Sequence, residues 1–228
     1  MEYVFDPNPV VSVAVLNSAM QFPVHRIYCV GQNYADHVRE MGGEPKQGTP
    51  VFFSKPADAI VTDNKDVPYP PATNNLHYEV ELVIALGQGG SNISTAAALD
   101  CVFGYAVGID FTRRDLQAQA KSAGRPWDVA KGFDGSAPIS AINPVAQMGH
   151  PSSAVIELSV NGETRQHSNV ENMIWSVEDI IAELSSFFAL TSGDLIYTGT
   201  PAGVSAVVAG DKIAANIQDV GSIAFSVI

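Results

Sequence analysis

The sequence predicts an α+β fold in which strands dominate and helices are few and unevenly placed. Three observations lead there. Short apolar runs bounded by Gly, Pro and Asn recur throughout the 228 residues, as strands do. Helical patterning is confined to a few short segments. Those segments do not alternate regularly with the strands, which argues against repeated βαβ units.

Taken in order, residues 1–24 are broken by proline and weakly alternating ("VVSVAV"), and read as a peripheral N-terminal segment of one or two strands. Residues 25–228 read as a single domain. "RIYCVG" (26–31) is a buried strand ending at glycine, and "NYADHVREM" (33–41) is a short helix with Asn33 as its expected N-cap. "GGEPKQGTP" (42–50) has loop chemistry throughout and is a candidate lid. "VFFSKP" (51–56) is a strand stopped by proline, and "LHYEVELVIALG" (76–87) a strand that runs into the core. "FGYAVGIDFT" (103–112) is another strand, followed by a helix from about Thr112 to Ala123 that ends at Gly124. "AVIELSVNGETRQHS" (154–168) is a hairpin turning at Asn161-Gly162. Ser176 and Asp179 have capping-box spacing at the start of a helix reaching about Phe188. "GDLIYTGTPAGV" (193–204) is a strand and then a Gly/Pro loop, and residues 210–228 form a closing hairpin.

Composition narrows the function classes. Hydrophobic residues are 46% and charged residues 16%, so the chain is globular and not disordered. Twelve basic against twenty-four acidic residues give a net charge of −12, which opposes binding to nucleic acid or to an anionic membrane through bulk charge. A local cationic site for a small anion stays compatible with that balance. Cys29 and Cys101 stand in apolar surroundings without a C-x-x-C, as reduced buried thiols of a cytoplasmic protein would. No signal-peptide pattern and no apolar run of about 20 residues is present.

The stretch "LHYEVEL" (76–82) poses the chemical question. In a strand, residues two apart share a face, so Glu79 and Glu81 point the same way while Tyr78 points the other way. Paired like charges on a half-buried face cost energy unless something neutralises them. Asp110, at the end of "YAVGID", adds a third carboxylate. Three oxygen donors without cysteine suit a hard cation, Mg2+ or Mn2+ more than Zn2+. The spacing also fits glutamates facing solvent on an edge strand, with Asp110 capping the next helix.

The stretches "CVGQNYADHVREMG", "FFSKPADAIV", "LHYEVELVIALG", "GYAVGIDFTRRDLQ", "GRPWDVAKGFDGSAPI", "NGETRQ" and "GDLIYTGTPAGV" together resemble the fumarylacetoacetate hydrolase family. The resemblance covers roughly residues 20–228, in order and spacing, and is nearest to the acylpyruvase branch and its fumarylpyruvate hydrolases of gentisate degradation. It implies the family's mixed β-sheet roll or sandwich with few peripheral helices, and a homodimer. It also implies that Glu79, Glu81 and Asp110 hold one divalent metal, which would neutralise the paired carboxylates.

The implied reaction is hydrolysis of a 2,4-dioxo acid between C3 and C4. Water attacks the C4 ketone and C3 leaves as the enolate of pyruvate, which a metal chelated by the 1-carboxylate and the 2-oxo oxygen stabilises as a Lewis acid. The base that the resemblance implies is His37 with Glu40, three residues apart in "DHVRE" on one helix face. Such pairs are also common on solvated helices. Lys131, ordinarily read as a snorkelling surface lysine, would instead face the site and hold a substrate carboxylate or the developing oxyanion. Arg114, Gln117 and Thr200 would contact substrate oxygens, and Lys55 would order the loop near the metal. His77 shares the glutamate face but is not an implied ligand. A fumaryl group carries a second carboxylate, for which Arg39, Lys46, Arg113 and Arg125 are the candidate partners. Two other functions share these residues: oxaloacetate decarboxylation or tautomerisation at the same metal site, and metal binding without catalysis.

Overall fold

The computed structural model describes residues 2–45 and 48–228, and its main body is a two-sheet α+β sandwich. A six-stranded sheet runs in the order Asn143–Pro144, Val102–Ile109, Val80–Leu86, Leu195–Tyr197, Ile27–Gly31, Val51–Lys55. All its pairs are antiparallel except Leu195–Tyr197 with Ile27–Gly31. An antiparallel four-stranded sheet stacks Glu163–Asn169, Val155–Val160, Lys212–Ile217 and Gly221–Ser226. The Ser12–Ala14 and Gln21–Pro23 strands pair with each other, as do Ile60–Val61 and Ala137–Pro138, and Ala206–Val207, Leu76–His77 and Thr112–Arg113 form a small three-stranded sheet.

The central strand shows why the sequence folds this way. Every residue of Val80–Leu86 is buried, as expected for a strand covered on both faces. Val80, Leu82, Ile84 and Leu86 enter the larger core with Ile156, Leu158, Ile213 and Phe225 of the second sheet and Ile180 and Leu184 of the Val177–Phe187 helix. Val83 and Ala85 point the opposite way, into a smaller core closed by Val13, Val15, Phe22 and Val24 of the N-terminal segment. Period-two alternation thus assigns each residue of this strand to one core or the other.

Local signals in the sequence are realised closely. Asn161 and Gly162 both take positive φ, 53° and 81°, the geometry of a two-residue type I′ hairpin. The Ser176 side chain accepts from Asp179 N while Asp179 accepts from Ser176 N, which completes the capping box. Two expectations are corrected. Asn33 is not the cap of the Ala35–Glu40 helix; Tyr34 precedes that helix without a side-chain cap bond. Asn33 is buried instead and bridges three segments, accepting from Trp175 N and donating to the carbonyls of Trp175 and Thr198. The helix after Asp110 begins at Arg114, because Thr112–Arg113 pairs as a short strand.

Gly108, opposite Glu81 in the ladder, marks a tight contact of the sheet. A Cβ there would stand 2.5 Å from side-chain atoms of both Tyr197 and Val83. Gly108→Ala is therefore expected to destabilise the protein by about 1–3 kcal/mol through overpacking. Urea denaturation should show a lower midpoint with an unchanged slope; an unchanged midpoint would refute the packing argument.

Candidate active site

The carboxylates meet where neighbouring strands end. Glu81 lies on Val80–Leu86, Glu79 stands just before that strand, and Asp110 follows Val102–Ile109. The Asp110 N–H donates to the Glu79 carbonyl at 2.8 Å, clamping the two strand ends together. One oxygen from each of the three side chains lies within 4.8 Å of the others, and all three residues are buried. The sequence expects an unbroken strand through residues 76–82, but regular pairing lapses at Tyr78 and Glu79. Side-chain direction survives: Tyr78 turns into the larger core, and both glutamates line the cleft.

Three cations surround them. Lys131 Nζ lies 2.7 Å from Glu79 Oε2 and 2.6 Å from Asp110 Oδ2. Arg114 donates to Glu79 Oε1 and, at 2.7 Å, to Gln117 Oε1. Lys55 Nζ is 2.8 Å from Asp110 Oδ1 and donates to the carbonyls of Phe111 and Lys131. The sequence reading gave neutralisation to a metal alone; the structure shows that protein cations already oppose the buried charge. They do so unevenly, because among the described residues Glu81 receives only the Gly199 N–H, at 2.8 Å. Burial, then the charges of Asp110 and Glu79, push the Glu81 carboxyl well above its ordinary range. At Glu79 burial acts in the same sense, but Lys131 and Arg114 outweigh it and hold the carboxyl below its ordinary range. Burial disfavours the Lys131 ammonium, yet Asp110 and Glu79 more than reverse this and raise its pKa.

These residues fit a hard divalent cation. The donors are all carboxylate oxygens. Among the described residues, Asp110 Oδ1 has no aligned hydrogen bond although Lys55 is near, and the one hydrogen bond to Glu81 uses Oε2. Such a set suits Mg2+ or Mn2+ and leaves coordination places for other oxygens.

The triad opens into a cleft of about 470 Å³, its mouth included, lined also by His37, Arg114, Gln117, Lys131 and Thr200. His37 is nearly buried on the Ala35–Glu40 helix, with Nδ1 3.1 Å from Glu40 Oε2. An ionised carboxylate only accepts, so this bond places the ring proton on Nδ1 and leaves Nε2 with a free lone pair. Glu40 Oε1 accepts from Gly203 N at 2.9 Å, which fixes the carboxylate in turn. The Thr200 hydroxyl accepts from Gln166 Nε2 at 2.8 Å, so its own proton can be donated elsewhere.

The residues 26–228 match the model of the fumarylacetoacetate (FAA) hydrolase C-terminal family. The chain belongs to the fumarylacetoacetate hydrolase family. A fumarylpyruvate hydrolase from a Ralstonia species is 47% identical over 176 residues, 77% of this chain and 91% of its own length. A mitochondrial oxaloacetate tautomerase from Rattus norvegicus is 45% identical over 201 residues, 88% of this chain and 90% of that one. The crystal structure of fumarylpyruvate hydrolase from Pseudomonas aeruginosa, in complex with Mn2+ and pyruvate, superposes with a TM-score of 0.98 at 47% identity, covering 100% of this chain and 99% of that chain.

Within this member of the fumarylacetoacetate hydrolase family, other expected residues fall in different places. Lys55, expected to order the loop near the metal and grouped with the substrate contacts, has a fully buried side chain behind Asp110 and is not among the residues lining the cleft. Arg39 is exposed and paired with Asp36 at 2.5 Å. Arg113 donates to the Val129 carbonyl and lies 4.4 Å from the Phe133 ring centroid, and Arg125 lines an adjoining cavity. Lys46 lies outside the described residues. His77 Nδ1 is 3.4 Å from Arg114 Nε, so a neutral His77 accepts from that guanidinium; burial and then the Arg114 charge lower its pKa to about 4.

Two residues escaped the sequence reading. Gln166 is fully buried, accepts from Val80 N at 3.0 Å, and donates to Thr200 Oγ1 and the Pro201 carbonyl. It ties the hairpin and the glutamate strand to the Thr200 loop, and no local pattern marks a glutamine for that work. Lys121 lines the cleft. Its signal was present: residues 114, 117 and 121 follow i, i+3, i+7 spacing on one helix face.

The charge arrangement predicts how stability responds to metal. Lys131→Met removes the ammonium between two buried carboxylates, so in EDTA it should cost about 3–5 kcal/mol. Mn2+ should raise the melting temperature of the variant more than that of the wild type, because the ion takes over compensation. Calorimetry showing equal Mn2+ shifts for both proteins would contradict the arrangement.

Proposed function

We propose that the protein is a divalent-metal-dependent hydrolase that cleaves acylpyruvates between C3 and C4. Its main substrate would be fumarylpyruvate, giving fumarate and pyruvate in gentisate-type aromatic degradation. The observation that carries this reading is the triad of Glu79, Glu81 and Asp110 sharing one cleft with the Glu40-oriented imidazole of His37. The two similar fumarylpyruvate hydrolases support the substrate class.

Glu79, Glu81 and Asp110 would hold Mg2+ or Mn2+, and the ion when bound supplies Lewis-acid stabilisation of negative charge on the dioxo end of the substrate. The side chains do the rest. Arg114, Gln117 and the Thr200 hydroxyl bind substrate oxygens. His37 Nε2 takes a proton from the water that attacks C4, and Glu40 stabilises the imidazolium through Nδ1. Lys131 spends two of its three N–H donors on Glu79 and Asp110; the third serves the oxyanion at C4. The C3–C4 bond then breaks, its electrons pass to C3, and C3 takes up the proton that the His37 imidazolium gives back, which yields pyruvate and restores the base. C4 becomes the carboxyl carbon of fumarate. Lys55 acts from behind, holding Asp110 and the Lys131 backbone in place.

A second reading is favoured by the tautomerase relatives, whose matches cover 88% of the chain against 77% for the Ralstonia hydrolase. In that case the same site would interconvert the enol and keto forms of oxaloacetate, and no water would need activation. Ultraviolet-monitored loss of the enolised dioxo acid, comparing fumarylpyruvate, acetylpyruvate and oxaloacetate with Mg2+, separates the two. His37→Ala should lower fumarylpyruvate cleavage about 10²- to 10⁴-fold and any oxaloacetate activity much less. Cleavage by this variant at near wild-type rate would remove His37 as the base.

The family match from residue 26 supports a catalytic domain over residues 25–228, with residues 1–24 as a peripheral segment that packs on it through Val11, Val13, Val15, Phe22 and Val24. Cys29 and Cys101 are free and buried, and among the described residues no helix is long and apolar enough to cross a membrane; both fit a cytoplasmic enzyme. Exposed Val51, Phe187 and Phe188, with Phe52 and Phe187 rings 6.2 Å apart, supply apolar surface for a homodimer. Light scattering at micromolar concentration should give twice the 24.1 kDa chain mass; a monomer mass would refute the dimer.

A further inference from the structure

A substrate with two carboxylates needs a second cation, and the cations of the cleft are not equally available. Arg114 is engaged by Glu79 and Gln117, and Lys131 by Glu79 and Asp110. Lys121 also lines the cleft and has no side-chain hydrogen bond or ion pair among the described residues. Its Nζ lies 5.1 Å from the centroid of the Trp127 ring.

Geometry gives this ammonium a defined place. Arg114 and Lys121 are seven residues apart on the Arg114–Ser122 helix, so their backbones are about 10 Å apart along its axis, on one face. Arg114 is anchored at the triad, and Lys121 therefore stands two turns further out, at the exposed rim. Between the two ends, Phe53 and Trp127 form a wall with ring centroids 5.8 Å apart. Lys131 Nζ is 5.0 Å from the Phe53 centroid at the triad end of this wall, and Lys121 sits over Trp127 at the other end. A planar, conjugated acyl chain can lie along such a wall with its far end beside Lys121.

We infer that Lys121 is the specificity residue for the distal carboxylate of the substrate, so that the cleft selects acylpyruvates whose acyl group is itself an unsaturated acid. The inference rests on the acylpyruvate reading above and adds to it which cation reads the acyl group. Partial burial and then the Arg114 charge lower the Lys121 pKa, a penalty that an incoming carboxylate relieves.

The test compares wild type, Lys121→Met and Lys121→Arg on fumarylpyruvate and on acetylpyruvate, which has no distal carboxylate. Lys121→Met should raise KM for fumarylpyruvate about 10- to 100-fold, the worth of a hydrogen bond to a charged group, with kcat little changed. Acetylpyruvate should respond by less than about threefold, and Lys121→Arg should recover most of the fumarylpyruvate KM because it restores the charge. Equal losses on both substrates, or no loss on either, would overturn the inference. Binding read by tryptophan fluorescence keeps the two claims apart. Wild type should bind fumarate at least about tenfold more tightly than crotonate, which lacks one carboxylate, and Lys121→Met should erase the difference. If wild type cleaves neither acylpyruvate, the hydrolase reading fails. A fumarate preference that survives in Lys121→Met defeats the role of Lys121 whether or not cleavage occurs.

Discussion

Three carboxylates buried at one point constrain the rest of this structure. Removing a single charge of that size from water costs several kcal/mol even after relaxation, and like charges within 4.8 Å add repulsion. The fold meets this with three cations and one backbone N–H, and each is delivered by a different segment. Lys55 comes from the end of an edge strand, Arg114 from the start of a helix, Lys131 from a single helical turn, and the Gly199 amide from a loop with φ of +99°. A side chain at position 199 would press on Asn33 at 2.7 Å. The residue that bridges three segments thus also borders the loop that holds Glu81.

The six-stranded sheet explains how these pieces arrive together. Val80–Leu86 begins at the site, while its neighbours Val102–Ile109 and Leu195–Tyr197 end there, as antiparallel pairing requires. Ile27–Gly31 runs parallel to Leu195–Tyr197 and leads at the same edge into the helix that carries His37. One edge of one sheet therefore presents the acidic triad, the loop with Thr200 and the imidazole. Tight packing around Gly108 keeps that edge in register. Glu79 and Asp110 have lysine or arginine partners, whereas among the described residues Glu81 has only the Gly199 N–H. The local charge is thus balanced for a divalent ion to arrive together with an anionic substrate.

Much of this was legible before the structure. Alternation in "YEVEL" gave the direction of Glu79, Glu81 and Tyr78, since a strand fixes side-chain faces even where its ladder lapses. The Asn161-Gly162 turn and the Ser176–Asp179 box are local chemistry, and they formed as read. The cations were not legible in the same way. Lys55 and Lys131 meet across 76 residues, and nothing in their immediate neighbours says which lysine faces substrate and which is sealed behind an aspartate. Asn33 looked like a helix cap, but its tertiary partners at Trp175 and Thr198 won over the local role. Lys121 could have been found by extending the helical face of Arg114 and Gln117 by one more turn.

The claim that protein cations prepare the triad for one divalent ion is tested most directly by titrating EDTA-stripped protein with Mn2+, followed by electron paramagnetic resonance and circular dichroism together. The account predicts a folded metal-free protein that binds one Mn2+ per chain, with secondary structure unchanged through the titration. A stripped protein that is unfolded, or a titration that shows no bound Mn2+, would contradict it.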